Sequence, residues 1–219
     1  MSRFPSIEEV VATSPVIPVV TISDPSKAVP MAQALVRGGV NIVEITLRTG
    51  GAFGAINAIT SEVPEIIVGA GTVRNAHQLE AAMEAGAKFG VSPGSSPQLR
   101  QEVQKAGIPF LFGGVTPTEV MTLLDEGYTH LKFFPAEAVG GIPVLKALSA
   151  PIASAIFCPT GGIDIVLAKA YLELKNVVCV GGSWVADTHS IECGDWSRIE
   201  ANARQVMTLR VPEGHGLHE

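Results

Sequence analysis

The chain has 219 residues, 47% of them hydrophobic and only 16% charged, and its formal net charge is −6. Globular chains carry about 25% charged residues, so this one encloses a large core or hides apolar surface between subunits. The acidic balance excludes the overall basic signature of a nucleic-acid or anionic-membrane binder, although local basic groups can still hold small anions.

No apolar run is long enough to span a membrane. The stretch at 16–22 is interrupted by Pro18 and falls far short of the ~20 residues a spanning helix needs. The first 15 residues contain Arg3 but no long apolar segment of the kind that directs export. Cys158, Cys179 and Cys193 are odd in number and form no Cys-x-x-Cys, so neither a disulfide framework nor a zinc site is read. Cys158 and Cys179 lie in apolar runs and read as small core residues. A cytoplasmic protein is expected.

In chain order, residues 6–13 read as an extra N-terminal helix. Eight short apolar runs then begin at Val16, Ile42, Ile66, Phe89, Pro109, His130, Ala155 and Val177, 20 to 26 residues apart. Helical patterns lie between them. Residues 75–86 open on Asn75, a capping residue, and close on Gly86. Residues 97–107 and 117–127 each open on proline and close on glycine. Strand and helix alternating at a short period means parallel strands joined by crossover helices. Eight such units fit the α/β class and a closed (β/α)8 TIM barrel. A doubly wound open sheet is the alternative, but it has fewer strands, and no Gly-x-Gly-x-x-Gly follows the first strand here. No linker interrupts the chain, so 1–219 reads as a single domain. The tail 212–219 reads as mobile. Its His215 and His218 are three apart with no other ligand nearby, so no metal site is assigned.

Active sites of such barrels lie at the C-terminal ends of the strands. Polar residues late in apolar strands are therefore the candidates. In the second strand, Glu44, Thr46 and Arg48 share one parity and the apolar Val43, Ile45 and Leu47 the other. With the apolar side toward the helices, the polar three point into the barrel. A Glu44–Arg48 ion pair is the plain structural explanation, but buried pairs stabilise poorly and call for another purpose.

Lys132 stands out more. It lies in the apolar run His130-Leu131-Lys132-Phe133-Phe134-Pro135-Ala136, and lysine is almost never buried alone. The bland alternative is an edge-strand lysine that snorkels to water. Parity places it inside the barrel instead. Taking an ammonium out of water favours the neutral amine, the nucleophile of Schiff-base chemistry. Thr72 is in phase with Val68 and Ala70 at the end of the third strand. Glu44, Arg48, Thr72 and Lys132 then converge at one mouth. The amine attacks a ketone, the carboxylate moves protons, and the guanidinium and hydroxyl hold a substrate carboxylate. Thr160-Gly161-Gly162 and Gly181-Gly182-Ser183 end the seventh and eighth strands, where such barrels bind phosphate. Glycines there let backbone N–H groups approach an anion.

Five segments together resemble one family. They are Val43-Glu44-Ile45-Thr46-Leu47-Arg48-Thr49, Val68-Gly69-Ala70-Gly71-Thr72-Val73, Lys132-Phe133-Phe134-Pro135-Ala136-Glu137, Cys158-Pro159-Thr160-Gly161-Gly162-Ile163 and Gly181-Gly182-Ser183-Trp184. In this order, over nearly the whole chain, they are similar to the 2-keto-3-deoxy-6-phosphogluconate (KDPG) aldolases. That family also includes 2-keto-4-hydroxyglutarate (KHG) and 2-keto-3-deoxy-6-phosphogalactonate aldolases. The resemblance implies a class I aldolase that needs no metal or cofactor and is usually trimeric. It puts the Schiff-base lysine on Lys132 and the acid/base glutamate on Glu44. It puts pyruvate-carboxylate contacts on Arg48 and Thr72, and further substrate contacts on Pro93, Phe134 and Thr160. Gly161, Gly162, Gly182 and Ser183 fall on the phosphate side.

Two segments depart from the family pattern. Phe112-Gly113-Gly114-Val115-Thr116 replaces an expected Pro-Gly-Ile or Pro-Gly-Val, and Val139 stands where Asn is common. Both bear on aldehyde specificity. The implied reaction converts a 2-keto-3-deoxy sugar acid phosphate to pyruvate and glyceraldehyde 3-phosphate. A phosphogalactonate-type substrate, a phosphosugar isomerase or epimerase without an imine, and a non-catalytic phosphosugar-binding barrel are the competing readings.

Overall fold

The computed structural model describes residues 4–209; the tail at 212–219, with His215 and His218, lies outside them. A short helix α1 (Ile7–Ala12) opens the described chain. It is held by a reciprocal capping box in which Ser6 accepts from the Glu9 N–H and Glu9 from the Ser6 N–H. The alternation that follows is β1 (Val16–Val20), α2 (Ala28–Arg37), β2 (Ile42–Thr46), α3 (Ala52–Glu62), β3 (Ile67–Gly71), α4 (Ala76–Glu84), β4 (Phe89–Val91) and α5 (Pro97–Ala106). It continues with β5 (Phe110–Gly113), α6 (Pro117–Asp125), β6 (His130–Phe133), α7 (Gly141–Ser149), β7 (Ile156–Pro159), α8 (Ile165–Leu172), β8 (Val180–Gly182), α9 (Thr188–Cys193) and α10 (Trp196–Val206). Asn75, Ser96 and Thr116 cap α4, α5 and α6, and Gly107 ends α5 in the left-handed conformation.

All strand pairings are parallel, in the order β7-β6-β5-β4-β3-β2-β1-β8. Single bridges from Phe157 to Val177 and from Thr160 to Gly181 join the two ends. The result is a (β/α)8 barrel, as the periodicity predicts. Between those two bridges the β7 side advances from 157 to 160 and the β8 side from 177 to 181. The extra residue is a local bulge. It explains why the apolar run beginning at Val177 becomes regular strand only at Val180.

Register fixes which side chains share a level inside the barrel, because side chains paired in parallel register point to the same face. Val19, Glu44, Gly69 and Phe89 form one such level. The Phe89 ring covers Gly69, where a β-carbon would lie 2.2 Å from it. The opposite parity packs under the helices. There Val43 and Ile45 are fully buried, and Phe133 meets Phe157 edge-on at 6.0 Å. His130 points inward at the barrel's other end, with its Nδ1 3.6 Å from Glu8 of α1. Burial pushes its pKa below the ordinary 6.5, against the pull of the Glu8 carboxylate. Among the described residues, no helix is long and apolar enough to cross a membrane.

Candidate active site

β2 and β6 lie opposite one another in the ring of eight. Their inward side chains meet across the barrel, and Lys132 Nζ donates to Glu44 Oε1 at 3.2 Å. Both side chains are only 5% exposed. The snorkelling alternative is therefore wrong for Lys132, and so is the Glu44–Arg48 pair, since the carboxylate's partner is the lysine. The Phe134 ring centroid lies 5.4 Å from the ammonium, close enough for a cation–π contact. Sequence reading placed Lys132, Glu44 and Phe134 together, and they are together.

Glu44 has room only because residue 71 on the neighbouring strand lacks a side chain. A β-carbon at Gly71 would sit 2.0 Å from Glu44 Oε1. Gly71→Ala is expected to push the carboxylate off its present position. A displacement of about 1 Å in a catalytic group costs on the order of 100-fold in rate. Turnover should fall by about that factor while circular dichroism still reports a folded barrel. An unchanged turnover number would show that the carboxylate's position is unimportant.

Arg48 departs from the expectation. β2 ends at Thr46, and the Arg48 N–H bonds back to the Thr46 carbonyl at 2.8 Å, turning the chain out of the barrel. The side chain is exposed at the rim. There its Nε donates to Thr72 Oγ1 at 3.1 Å.

Thr72 reaches that position by a route alternation does not predict. Gly69 and Gly71 face the interior, so Val68 and Ala70 face the helices, and simple alternation would send Thr72 outward as well. Instead Thr72 takes φ +61°, the only non-glycine positive φ among the described residues. For a β-branched residue this is a true outlier, costing about 1–2 kcal/mol. The left-handed turn aims the hydroxyl back at Arg48.

The remaining candidates lie on neighbouring loops. Pro93 follows β4 and is exposed. Its carbonyl occupies the space a β-carbon on Gly113 would need, at 2.2 Å. The departure at 112–116 thus keeps glycine where β5 presses on the Pro93 loop. Thr160 is buried and bridges Gly181. Gly161 and Gly162 have φ +105° and +78°, which opens the loop after β7 beside the one after β8. Gly182 is buried at the end of β8, and Ser183 is exposed just beyond it. Two adjacent glycine loops of this kind suit an anion held by backbone N–H groups.

One contact escaped sequence reading. The Tyr171 hydroxyl on α8 donates to the Glu137 carboxylate in the turn after β6. Burial, then the Glu137 hydrogen bond and charge, raise the tyrosine's pKa and keep it a donor. Glu137 in turn packs beside Gly162, so this link braces the loop after β6 against the loop after β7. The only sequence signal was Glu137 itself, at the end of the Lys132 motif. Cys158 and Cys179 are both buried. A hydrogen bond with Cys158 and burial push the Cys179 thiol up, so it stays protonated and inert. Among the described residues no group of three or more His, Cys, Asp or Glu is placed to hold a metal ion.

Known proteins resemble this chain over most of its length. The family model for KDPG and KHG aldolase matches residues 7–202. The KHG/KDPG aldolase of Escherichia coli (strain K12) is 47% identical over 202 residues, which cover 92% of this chain and 95% of that protein. The 2-dehydro-3-deoxy-phosphogluconate aldolase of Pseudoalteromonas atlantica is also 47% identical over 202 residues, covering 92% and 94%. The KDPG aldolase of Legionella pneumophila has been solved with pyruvate captured at low pH as a covalent carbinolamine intermediate. It matches with a TM-score of 0.91 and 42% identity over 93% of this chain and 99% of that one. A carbinolamine requires an amine within reach of a ketone; the barrel here buries the Lys132 amine against the Glu44 carboxylate. On the family model, the curated relatives and the barrel together, this chain belongs to the KDPG and KHG aldolase family.

Proposed function

We propose that this chain is a class I aldolase that cleaves 2-keto-3-deoxy-6-phosphogluconate to pyruvate and glyceraldehyde 3-phosphate. It also cleaves 4-hydroxy-2-oxoglutarate to pyruvate and glyoxylate. The observation that carries this reading is the buried Lys132–Glu44 contact at 3.2 Å. Moving the lysine's proton to Glu44 leaves a neutral amine beside a neutral acid, with no charge stranded in the barrel. The amine attacks the substrate's C2 carbonyl. The protonated Glu44 helps the carbinolamine hydroxyl leave as water, and an iminium forms. Glu44, again a carboxylate, takes the C4 hydroxyl proton. The C3–C4 bond breaks, its electrons flow into the iminium to give an enamine, and the aldehyde departs. Glu44 returns the proton to C3, and water releases pyruvate from Lys132.

In this reading Arg48 and Thr72 hold the pyruvyl carboxylate at the rim by charge-assisted hydrogen bonds. Thr72→Ala should weaken pyruvate binding by about three- to tenfold, the worth of one such bond, as read from the KM for pyruvate in the condensation direction. Pro93 and Phe134 pack the pyruvyl group and Thr160 supports it. Gly161, Gly162, Gly182 and Ser183 receive the phosphate. Tyr171 and Glu137 position the phosphate loop.

Borohydride reduction in the presence of pyruvate tests the mechanism, with peptide mass analysis expected to find the adduct on Lys132. A folded protein that takes no label would sink the imine and favour an isomerase-type barrel. Steady-state assays on phosphogluconate-, phosphogalactonate- and hydroxyglutarate-derived keto acids then rank the substrates. We further read the protein as a cytoplasmic homotrimer acting without metal. The low charge content supports buried subunit surface, and sedimentation at working concentration measures the oligomer.

A further inference from the structure

The ring order places β1 between β2, which carries Glu44, and β8, which leads into the phosphate loop. In the proposed reaction C2 sits on Lys132, the C4 hydroxyl at Glu44, and the phosphate on C6 at Gly161, Gly162, Gly182 and Ser183. The carbon between, C5, therefore passes over the end of β1. The residue there is Thr21.

Its position follows from register. Val19 pairs with Glu44 and Val20 with Ile45, which brings Thr21 level with Thr46. That is two residues, roughly 6–7 Å, nearer the mouth than Glu44. The two hydroxyls meet at 2.8 Å. Thr46 is fully buried and gives its hydrogen to the Val20 carbonyl at 3.0 Å. A hydroxyl has one hydrogen to give, so Thr21 is the donor between the two threonines and keeps its own lone pairs. Thr21 is only half-buried. It also lines a cavity of about 230 Å3 with Ser23, Asp24 and Lys27 of its own loop and with Thr188, Ile191 and Glu192 of α9, the helix that follows β8.

We infer that Thr21 is a specificity-determining residue whose hydroxyl oxygen accepts a hydrogen bond from the C5 hydroxyl of the substrate, the 2-hydroxyl of the departing aldehyde. This rests on the aldolase reading above. Neither the imine nor the proton shuttle needs Thr21, so it should act on the aldehyde half alone.

The condensation direction isolates the effect. Pyruvate is combined either with glyceraldehyde 3-phosphate or with the analogue that lacks the 2-hydroxyl, 3-phosphooxypropanal. The parent enzyme should prefer the hydroxylated aldehyde by about three- to tenfold in kcat/KM, the worth of one hydrogen bond. Thr21→Val keeps the side chain's shape and leaves Thr46 bonded to Val20, and it should erase that preference. Thr21→Ser should keep it. Exchange of pyruvate's methyl hydrogens with solvent, which needs the enamine but no aldehyde, should be unchanged in both variants. A preference that survives in Thr21→Val overturns the inference, as does an equal fall in exchange and condensation, which would mark a structural role. A parent enzyme that neither exchanges nor condenses pyruvate would instead bring down the aldolase reading, and this inference with it.

Discussion

Lys132→Met is expected to lower turnover by about 10⁴-fold or more, because the covalent route is lost and not merely slowed. Methionine matches the length of the lysine stem and suits the apolar lining of β6. The variant's one liability is Glu44, left buried with no cation. Removing one partner of a buried pair costs about 3–5 kcal/mol when the other must stay charged. The barrel should still fold, with a lowered thermal midpoint that circular dichroism can follow. Borohydride and pyruvate should add nothing to this variant. Residual activity above about one per cent, or an adduct elsewhere on the chain, would contradict the assignment of Lys132 as the only amine that forms the imine.

Glu44→Gln should have the second-largest effect. The amide keeps the shape and can still hydrogen-bond, but it cannot carry a proton between oxygen and carbon. Loss of a positioned acid/base costs about 10²–10⁴-fold in kcat. The KM should change far less, since the proposed mechanism holds the carboxylate of the substrate at Arg48 and Thr72. Exchange of pyruvate's methyl hydrogens should slow in parallel with cleavage, because the same group returns the proton to C3. Trapping by borohydride should still reach completion on Lys132, only more slowly. If cleavage slows and exchange does not, a group other than Glu44 serves C3. If neither slows, Glu44 is a mere counter-ion.

The two substitutions, with Gly71→Ala, separate the chemistry from its support. In the proposed mechanism Lys132→Met removes the bond-forming atom and Glu44→Gln removes the proton carrier. Gly71→Ala leaves both residues present and moves one of them, because the methyl would lie 2.0 Å from Glu44 Oε1. A barrel interior is close-packed, so the absence of a side chain on one strand is as much a part of the site as the presence of one on the next.

Much of this was legible in the chain. The eight apolar runs at a steady period required parallel strands with crossover helices, and the barrel has them. Alternation put Glu44 and Lys132 on inward faces, and both are there. That follows because parity is local: two residues on one strand share a face whatever the rest of the chain does. The same local logic failed where the backbone leaves the extended conformation. Arg48 was counted as strand but follows a turn closed by the Thr46 carbonyl. Thr72 was counted in phase with Val68 and Ala70, yet it reaches the mouth only through φ +61°. No propensity favours that conformation for threonine, and tertiary contact with Arg48 accompanies it.

The sequence by itself determined the strand period, the helix ends, and the anomaly of a lysine and a glutamate on apolar strands. It also carried the motifs by which the family is recognised. Only the tertiary structure decided that Lys132 and Glu44, 88 positions apart, meet at hydrogen-bond distance. Closing eight strands into a ring sets β2 opposite β6, and the register of every intervening pair fixes their relative height. It likewise decided that Arg48 belongs to Thr72 and not to Glu44, and that Thr21 stands beside Thr46 at the end of the strand between β2 and β8. Spacing along a chain gives the face of each strand. The partner across the barrel comes from the sum of all the registers, and no single segment contains that sum.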